Sequence, residues 1–434
     1  MAVTCNATVA LSAIISCECR RISNLGGNSV IMYTDLGYGS VKLMVADDAA
    51  APSVVCPIPF PPASPSAIVE AIASCIRSQA DAGAPVATII IDQITSNSAL
   101  LMPVAAVARL AALHSITVVV DAAHALGAID VDVPALGVHY WVSNCHKWLC
   151  APKGSAVLWV APSRQQLLRP VVVSHAHHHG LSSAFAWDGC RDYGSLLALP
   201  AVIAQWQVLN RSGACDAYRR SLLDAAVVLC AREWQSAWST PPELRGPMAL
   251  VELPQLVTDR FRAQGTPVDV HAAATVQNAL HRNFNVEAPI KCLNGRLFMR
   301  LSAHIYNTLQ HYRCVADAVL CYAAQSAAGA SSTRVPPVLL QRSGPSDPLC
   351  EPEVGESNNS DPRSGMGGAG SGLRRVADSS ADPKRQKKDE RDQPSSCACP
   401  LHLPPPTSSS SLLSHTFVVA VVEAKAPAVC QCCL

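Results

Sequence analysis

An acid and an amine stand at the ends of two short apolar runs. Residues 117–120, Thr-Val-Val-Val, lead into Asp121, and residues 138–142 lead into Ser143-Asn144-Cys145-His146-Lys147. A short β-branched run of this kind reads as a buried strand of a parallel sheet. In open α/β sheets, ligands bind beyond the carboxyl ends of the strands. The pattern therefore delivers a carboxyl and a primary amine to the ligand side of one sheet. A lysine amine condenses with an aldehyde, and an acid keeps a pyridine nitrogen protonated so that the ring draws in electrons. The pair suits pyridoxal 5′-phosphate (PLP), with Lys147 as the catalytic amine and Asp121 as the acid at the ring. Lys153, in a Pro-Lys-Gly turn, is the rival amine, but a turn lysine is solvated, protonated and a poor nucleophile.

The elements that must position these groups alternate along the chain. Residues 29–33, 53–57, 86–92 and 156–160 read as further strands. Residues 65–79 read as a helix with Ser66 near its cap, and a second helix runs from about 104 to 114. The series predicts an α/β fold with a mostly parallel central sheet and helices on both faces. Helices near 196–208, 216–234 and 270–284 follow and belong to a smaller α+β domain. Asn6-Ala7-Thr8 opens a helix whose free N–H groups, dipole and Thr8 hydroxyl suit a phosphate. Taken alone, Asn6 or Thr8 reads equally as an N-cap.

Composition narrows the function classes. The 434 residues are 49% hydrophobic and only 15% charged, with a formal net charge of +1. That leaves room for a large core and shows no nucleic-acid footprint over the body of the chain. The 19 cysteines are scattered. With no basic leader ahead of the first apolar residues, they read as reduced thiols of a cytoplasmic protein, an organelle or the nucleus remaining open. No apolar run is long enough to span a membrane. The run Ser174-His175-Ala176-His177-His178-His179 lacks the spacing of a metal site and reads as a solvated loop, so no metal is expected. From about residue 325, Ser, Pro and Gly dominate and periodicity vanishes, which predicts a disordered tail to 434. Within it, Arg374-Arg375 and residues 384–388 form a split basic cluster.

Read together, three motifs resemble the class V aminotransferase family, a branch of the fold-type I PLP enzymes. They are Asp121-Ala122-Ala123-His124, Asn144-Cys145-His146-Lys147-Trp148-Leu149 and Ala151-Pro152-Lys153-Gly154. The likeness is to the subgroup of isopenicillin N epimerase-like proteins and plant-type L-cysteine desulfhydrases, and it covers about residues 4–324. It implies that Asn6, Ala7 and Thr8 receive the cofactor phosphate and that Tyr38 stacks on the ring, although a Tyr in a Gly-rich turn also suits the surface. It implies that Asn97 touches a substrate or cofactor oxygen. Ala123 lets the ring lie flat. His124 bonds the ring's phenolic oxygen, or else is a core histidine paired with backbone. Asn144 and His146 meet the phosphate or hold the loop.

Gln93 stands where the family has a His, and keeps a donor but cannot titrate. Gly189 and Cys190 match a Gly-Thr pair that reaches the partner subunit's phosphate, with a weaker donor at Cys190. The resemblance thus implies a homodimer with active sites at the interface. Arg300, in residues 295–307, matches the arginine that binds the substrate carboxylate, and a guanidinium fork suits that group. A catalytic role for Cys292 is not expected. The family also carries a segment ahead of Asn6 that this sequence lacks, which bears on stability and activity more than on fold.

The domain reading is a PLP-binding large domain over 1–190, a small domain over 191–324, and the tail over 325–434. The implied function is PLP-dependent chemistry on a small amino acid. The foremost reading is a C–S lyase of the L-cysteine desulfhydrase type, giving sulfide, pyruvate and ammonia. An amino-acid epimerase, a cysteine-conjugate lyase and a non-catalytic relative are the alternatives.

Overall fold

Seven strands make the larger of two sheets, in the order β1-β7-β6-β5-β4-β2-β3. The computed structural model describes residues 1–48 and 51–327. The expected tail, with its basic cluster, lies outside the described residues apart from its first three positions. Strands β2 (Val30–Thr34), β3 (Ser53–Cys56), β4 (Val86–Asp92), β5 (Thr117–Asp121) and β6 (Tyr140–Asn144) pair in parallel. Strand β7 (Ala156–Val160) returns antiparallel to β6, and β1 (Ala2–Thr4) adds an edge strand antiparallel to β7. Sequence reasoning did not find β1, because three residues carry no period.

The parallel strands are apolar on both faces because helices cover both. Helices α1 (Ala7–Leu25) and α2 (Gly39–Asp47) pack on Ile31, Ile90, Val119 and Val142. Helices α3 (Pro65–Asp81) and α4 (Val104–Leu113) pack on Met32, Ile89, Ile91 and Val120. The cap of α3 is Ser64, whose side chain accepts from Ala67 N–H, rather than Ser66. Burying such β-branched side chains contributes about 1.5–3 kcal/mol each, before the cost of ordering the chain.

The helix expected over 196–208 is broken into α6 (Gly194–Leu197) and α7 (Leu199–Leu209), and is preceded by α5 (Leu181–Ala186). Pro200 lies at the start of α7, where its missing N–H costs nothing, and so the chain restarts there. Next come α8 (Ala214–Trp234), β8 (Met248–Glu252), α9 (Gln255–Ala263), α10 (Val270–Phe284), β9 (Ile290–Leu293), β10 (Arg296–Ser302) and α11 (Leu309–Ala327). The three strands form a second, antiparallel sheet in the order β8-β10-β9. Side chains of α8 to α11 build a core on one of its faces. On the other face, Leu250 and Phe298 pack with Ile94, Ala99 and Trp148 from the loops of the larger sheet. That small shared core sets the second sheet against the carboxyl ends of the first.

Candidate active site

Side chains alternate along a strand, so residues two apart share a face. Ile90, Val119 and Val142 face α1, and therefore so do Asp92, Asp121 and Asn144, the last residues of β4, β5 and β6. Asp92 and Asp121 are direct partners in the parallel register. Three polar groups thus stand in a row at the carboxyl ends of three neighbouring strands, and all three are buried.

Each is held by backbone. Asp121 Oδ1 accepts from Ala123 N–H at 3.0 Å. Asp92 accepts from Tyr38 N–H in the loop that leaves β2. Asn144 Oδ1 accepts from Ala7 N–H at 2.9 Å, so it caps the first turn of α1. Asn6 Oδ1 takes Val9 N–H at 2.9 Å. Both readings of the Asn6-Ala7-Thr8 element therefore have a physical basis: Asn6 is the N-cap, while Thr8 remains exposed at the positive end of the helix.

Burial raises the carboxyl pKa of Asp121. It raises that of Asp92 well above the ordinary range, with the Asp121 charge as the next cause. Two adjacent buried carboxyls do not both ionise readily, and the upward push is the greater at Asp92. Nearby Lys147 partly offsets both shifts.

The loop after β5 and the loop after β6 interlock. Ser143 Oγ donates to Ala122 C=O and accepts from Leu126 N–H. Gly127 has φ +77°, and a Cβ there would lie 2.7 Å from Leu149 N, so only glycine lets the two backbones touch. Buried Arg219, from α8, donates to Gly127 C=O and closes the joint from outside. Lys147 is half-buried and sits 3.0 Å from His124 Nε2. His124 Nδ1 accepts from Trp148 Nε1–H at 3.2 Å. Trp148 in turn stacks on His304 with ring centroids 5.3 Å apart. Burial, then Lys147 and Arg300, keep the His124 pKa well below its usual value. His304 falls to about 4, chiefly through burial.

Arg300 reaches this region from β10. It lies on the same face as Phe298, and its Nη1 donates to Ser96 C=O at 2.7 Å. The Ser96 turn is closed by Thr95 Oγ1, which accepts from Leu100 N–H at 2.8 Å, and by Ala99 at φ +54°. Asn97 is the exposed tip of that turn. Lys291 on β9 is a second cation near Arg300, and its pKa is lowered by burial and by that neighbour.

Other expected residues lie apart from this cluster or are turned to other work. His146 Nδ1 bonds Ser155 C=O at 2.9 Å, which is the loop-holding role. Gln93 Oε1 accepts from Trp141 Nε1–H at 3.3 Å, on the α3 and α4 face. Ala123 is half-buried beside Asp121, and the Tyr38 side chain is exposed. Gly189 and exposed Cys190 lie in a turn tied by the Arg191–Asp188 ion pair. The Cys292 thiol donates to Val268 C=O.

Sequence reasoning missed Asp92, Trp148 and His304. Asp92 had the same signal as Asp121: a β-branched run ending on an acid.

A parallel sheet that presents an amine and an acid beyond its strand ends, met there by a guanidinium from a second sheet, has the form of a fold-type I enzyme. Comparison with known proteins agrees. The model for the family "Aminotransferase class-V" matches residues 74–180. An L-cysteine desulfhydrase of Arabidopsis thaliana is 30% identical over 284 residues, 60% of this chain and 60% of its own length. An isopenicillin N epimerase of Streptomyces clavuligerus is 32% identical over 52% of this chain and 58% of its own. A cystine C–S lyase, solved with its product cysteine persulfide, shares the fold with a TM-score of 0.55. That match has 13% identity and covers 73% of this chain and 80% of the other. Over residues 74–180 the chain matches the class V aminotransferase family. It spans less than two thirds of the length of these two curated relatives.

The cofactor of this family is PLP, and the residues fit it. A half-buried amine lies beside a buried acid that Ala123 N–H orients, and a helix N-terminus opens at Thr8.

Proposed function

We propose that this chain is a PLP-dependent lyase acting on a small amino acid, with L-cysteine as substrate and sulfide, pyruvate and ammonia as products. The observation that carries the reading is the meeting of Lys147, Asp121 and Arg300, from two sheets, at one set of strand ends. Desulfhydrase relatives support the choice of a C–S bond.

The chain's residues divide the work. PLP, when bound, supplies an electron sink for the charge left by the departing α-proton. Lys147 would hold the group through Nζ and, once the substrate amine has taken its place, would accept the α-proton there. Asp121 would accept from the protonated ring nitrogen and so keep that proton in place. His124 and Ala123 would orient the ring, and the start of α1 at Asn6, Ala7 and Thr8 would receive the phosphate. Asn97 borders the substrate. Arg300 exchanges Ser96 C=O for the substrate carboxylate, an ionised acceptor that a guanidinium prefers. Asn144 and His146 hold the frame.

We further propose a homodimer in which Gly189 and Cys190 serve the partner's site. Exposed Val171, Val172, Val173, Trp187, Ile203 and Val208 form the kind of apolar surface that a second copy would cover. In this reading, 1–190 carries the cofactor and 191–324 the substrate arginine. An epimerase is the second reading, supported by the Streptomyces relative and by Asp92, a second acid in the row. The test is borohydride reduction with PLP, followed by peptide mapping, and then assay of sulfide release against racemisation. Label on Lys147 with sulfide from L-cysteine is the expected result. Label elsewhere, or none, ends the enzyme reading, and racemisation without sulfide favours the epimerase.

A further inference from the structure

Trp148 belongs to the lysine motif but has no part in the proposed reaction. It is buried and sits between two histidines. Its indole N–H can only donate. That donor points at His124 Nδ1, 3.2 Å away, so Nδ1 must supply a lone pair. His124 is fully buried, and burial, the largest cause, favours the neutral ring without any charge on Lys147, so its single proton sits on the other nitrogen. That nitrogen, Nε2, faces Lys147 Nζ at 3.0 Å. A ring N–H needs an acceptor, and an ammonium group has none. Only an uncharged amine offers a lone pair.

We infer that Trp148 is a positioning residue: it sets His124 as the Nε2–H tautomer, and this holds Lys147 as an uncharged amine.

Of the other charged groups around Lys147, Arg300 works with this assignment and the strand-end carboxyls work against it. Asp92 and Asp121 face it from the ends of β4 and β5; burial and their mutual repulsion oppose two charges on the pair, and any charge that remains favours an ammonium, which the His124 N–H must outweigh. Arg300 adds positive potential at His124, and half-buried His146 is neutral for the same reason of burial. His304 fixes the far side. Its Nδ1 accepts from Ile305 N–H at 2.9 Å, so its Nε2–H is left to face Cys150 Sγ at 3.5 Å and the backbone of Lys147 and Trp148. Indole, imidazole and amine thus form a chain of donors pointing one way. The amine at its end is the form that attacks an aldehyde, because a protonated amine has no lone pair to give.

The inference rests on Lys147 being the reacting amine, and two separate measurements keep the two ideas apart. In the full chain freed of cofactor, ¹⁵N-labelled histidine reports the tautomer of His124, with the signal identified by its loss in H124N. The expected result is protonation at Nε2 alone; protonation at Nδ1, or at both nitrogens, at neutral pH overturns the proposal. An amine-selective anhydride then labels Lys147 in competition with exposed Lys153 across the neutral range. Lys147 should react about tenfold or more faster than Lys153, and in W148F that advantage should disappear. An unchanged pH profile in W148F overturns the proposal. Should W148F fail to fold, the tautomer in the unaltered chain still decides. Borohydride trapping with PLP tests the attachment itself and can succeed or fail independently of both.

Discussion

The strand-end loops around Lys147 and the segment 170–195 are both expected to serve one active site, and they are built in opposite ways. Around Lys147, polar side chains are spent on backbone: Ser143 on Ala122 and Leu126, Asp121 on Ala123, and Asn144 on Ala7. In 170–195 only Ala184 and Phe185 are buried. Its ties there are mostly internal, such as Arg191 with Asp188 and the Trp187–Tyr193 stack. A half-site that a chain completes alone must be rigid on its own account. A half-site shared with a second copy can leave its apolar residues exposed until that copy arrives.

Substitutions can break or sharpen this contrast. The largest effect is expected for K147A, a loss of about 10³-fold or more in turnover together with the borohydride-stable label. R300A comes next: kcat/KM for an amino acid should fall by about 10- to 100-fold, mostly in KM, since one charged hydrogen-bonding partner is lost. Steady-state kinetics on the two variants separates amine from guanidinium.

Acid should strike the rigid half first. The His304 pKa is about 4, below its unfolded value. The unfolded chain therefore binds the extra proton, and stability is lost as pH falls from the unfolded value towards 4. The loss at this site is about 3 kcal/mol, flat above and below that window. Buried Asp92 has the opposite sign, because its folded-state pKa is raised. The diagnostic quantity is thus the difference in pH-dependent denaturant midpoints between the natural chain and H304Q, in which that slope should vanish.

G127A should cost about 2–3 kcal/mol in thermal or denaturant unfolding, through φ +77° and the close Leu149 backbone. The mildest change is C190T in the outer segment. Its stability should stay within about 0.5 kcal/mol, while cofactor dissociation slows if a hydroxyl there reaches a partner's phosphate. A C190T effect as large as that of G127A would erase the distinction between the two halves.

Most of the frame was legible in the sequence, because β-branched runs ending on polar residues carry both the strand and its direction. Residues 86–92, 156–160 and 270–284 fall on β4, β7 and α10 without adjustment. Lys147, Asp121, His124 and Asn144 do stand together. What stayed hidden depends on contacts between distant segments. No local pattern shows that Asn144 caps α1 across 137 residues, that Gln93 turns to Trp141, or that Trp148 donates to His124. Asp92 was hidden for another reason: its neighbour Gln93 drew attention as a departure from the family, while the acid before it followed the same strand rule as Asp121.

The Arg300–Ser96 bond carries a mechanical meaning. It is a latch thrown from one sheet onto a loop of the other, and under the proposed function the key that opens it would be an anionic oxygen of the cargo itself. Arrival of an amino acid would then loosen the seam between the two layers at the moment of capture. Occupancy would be written into the stiffness of the whole molecule, legible by amide hydrogen exchange at residues 95–100 before any bond is broken.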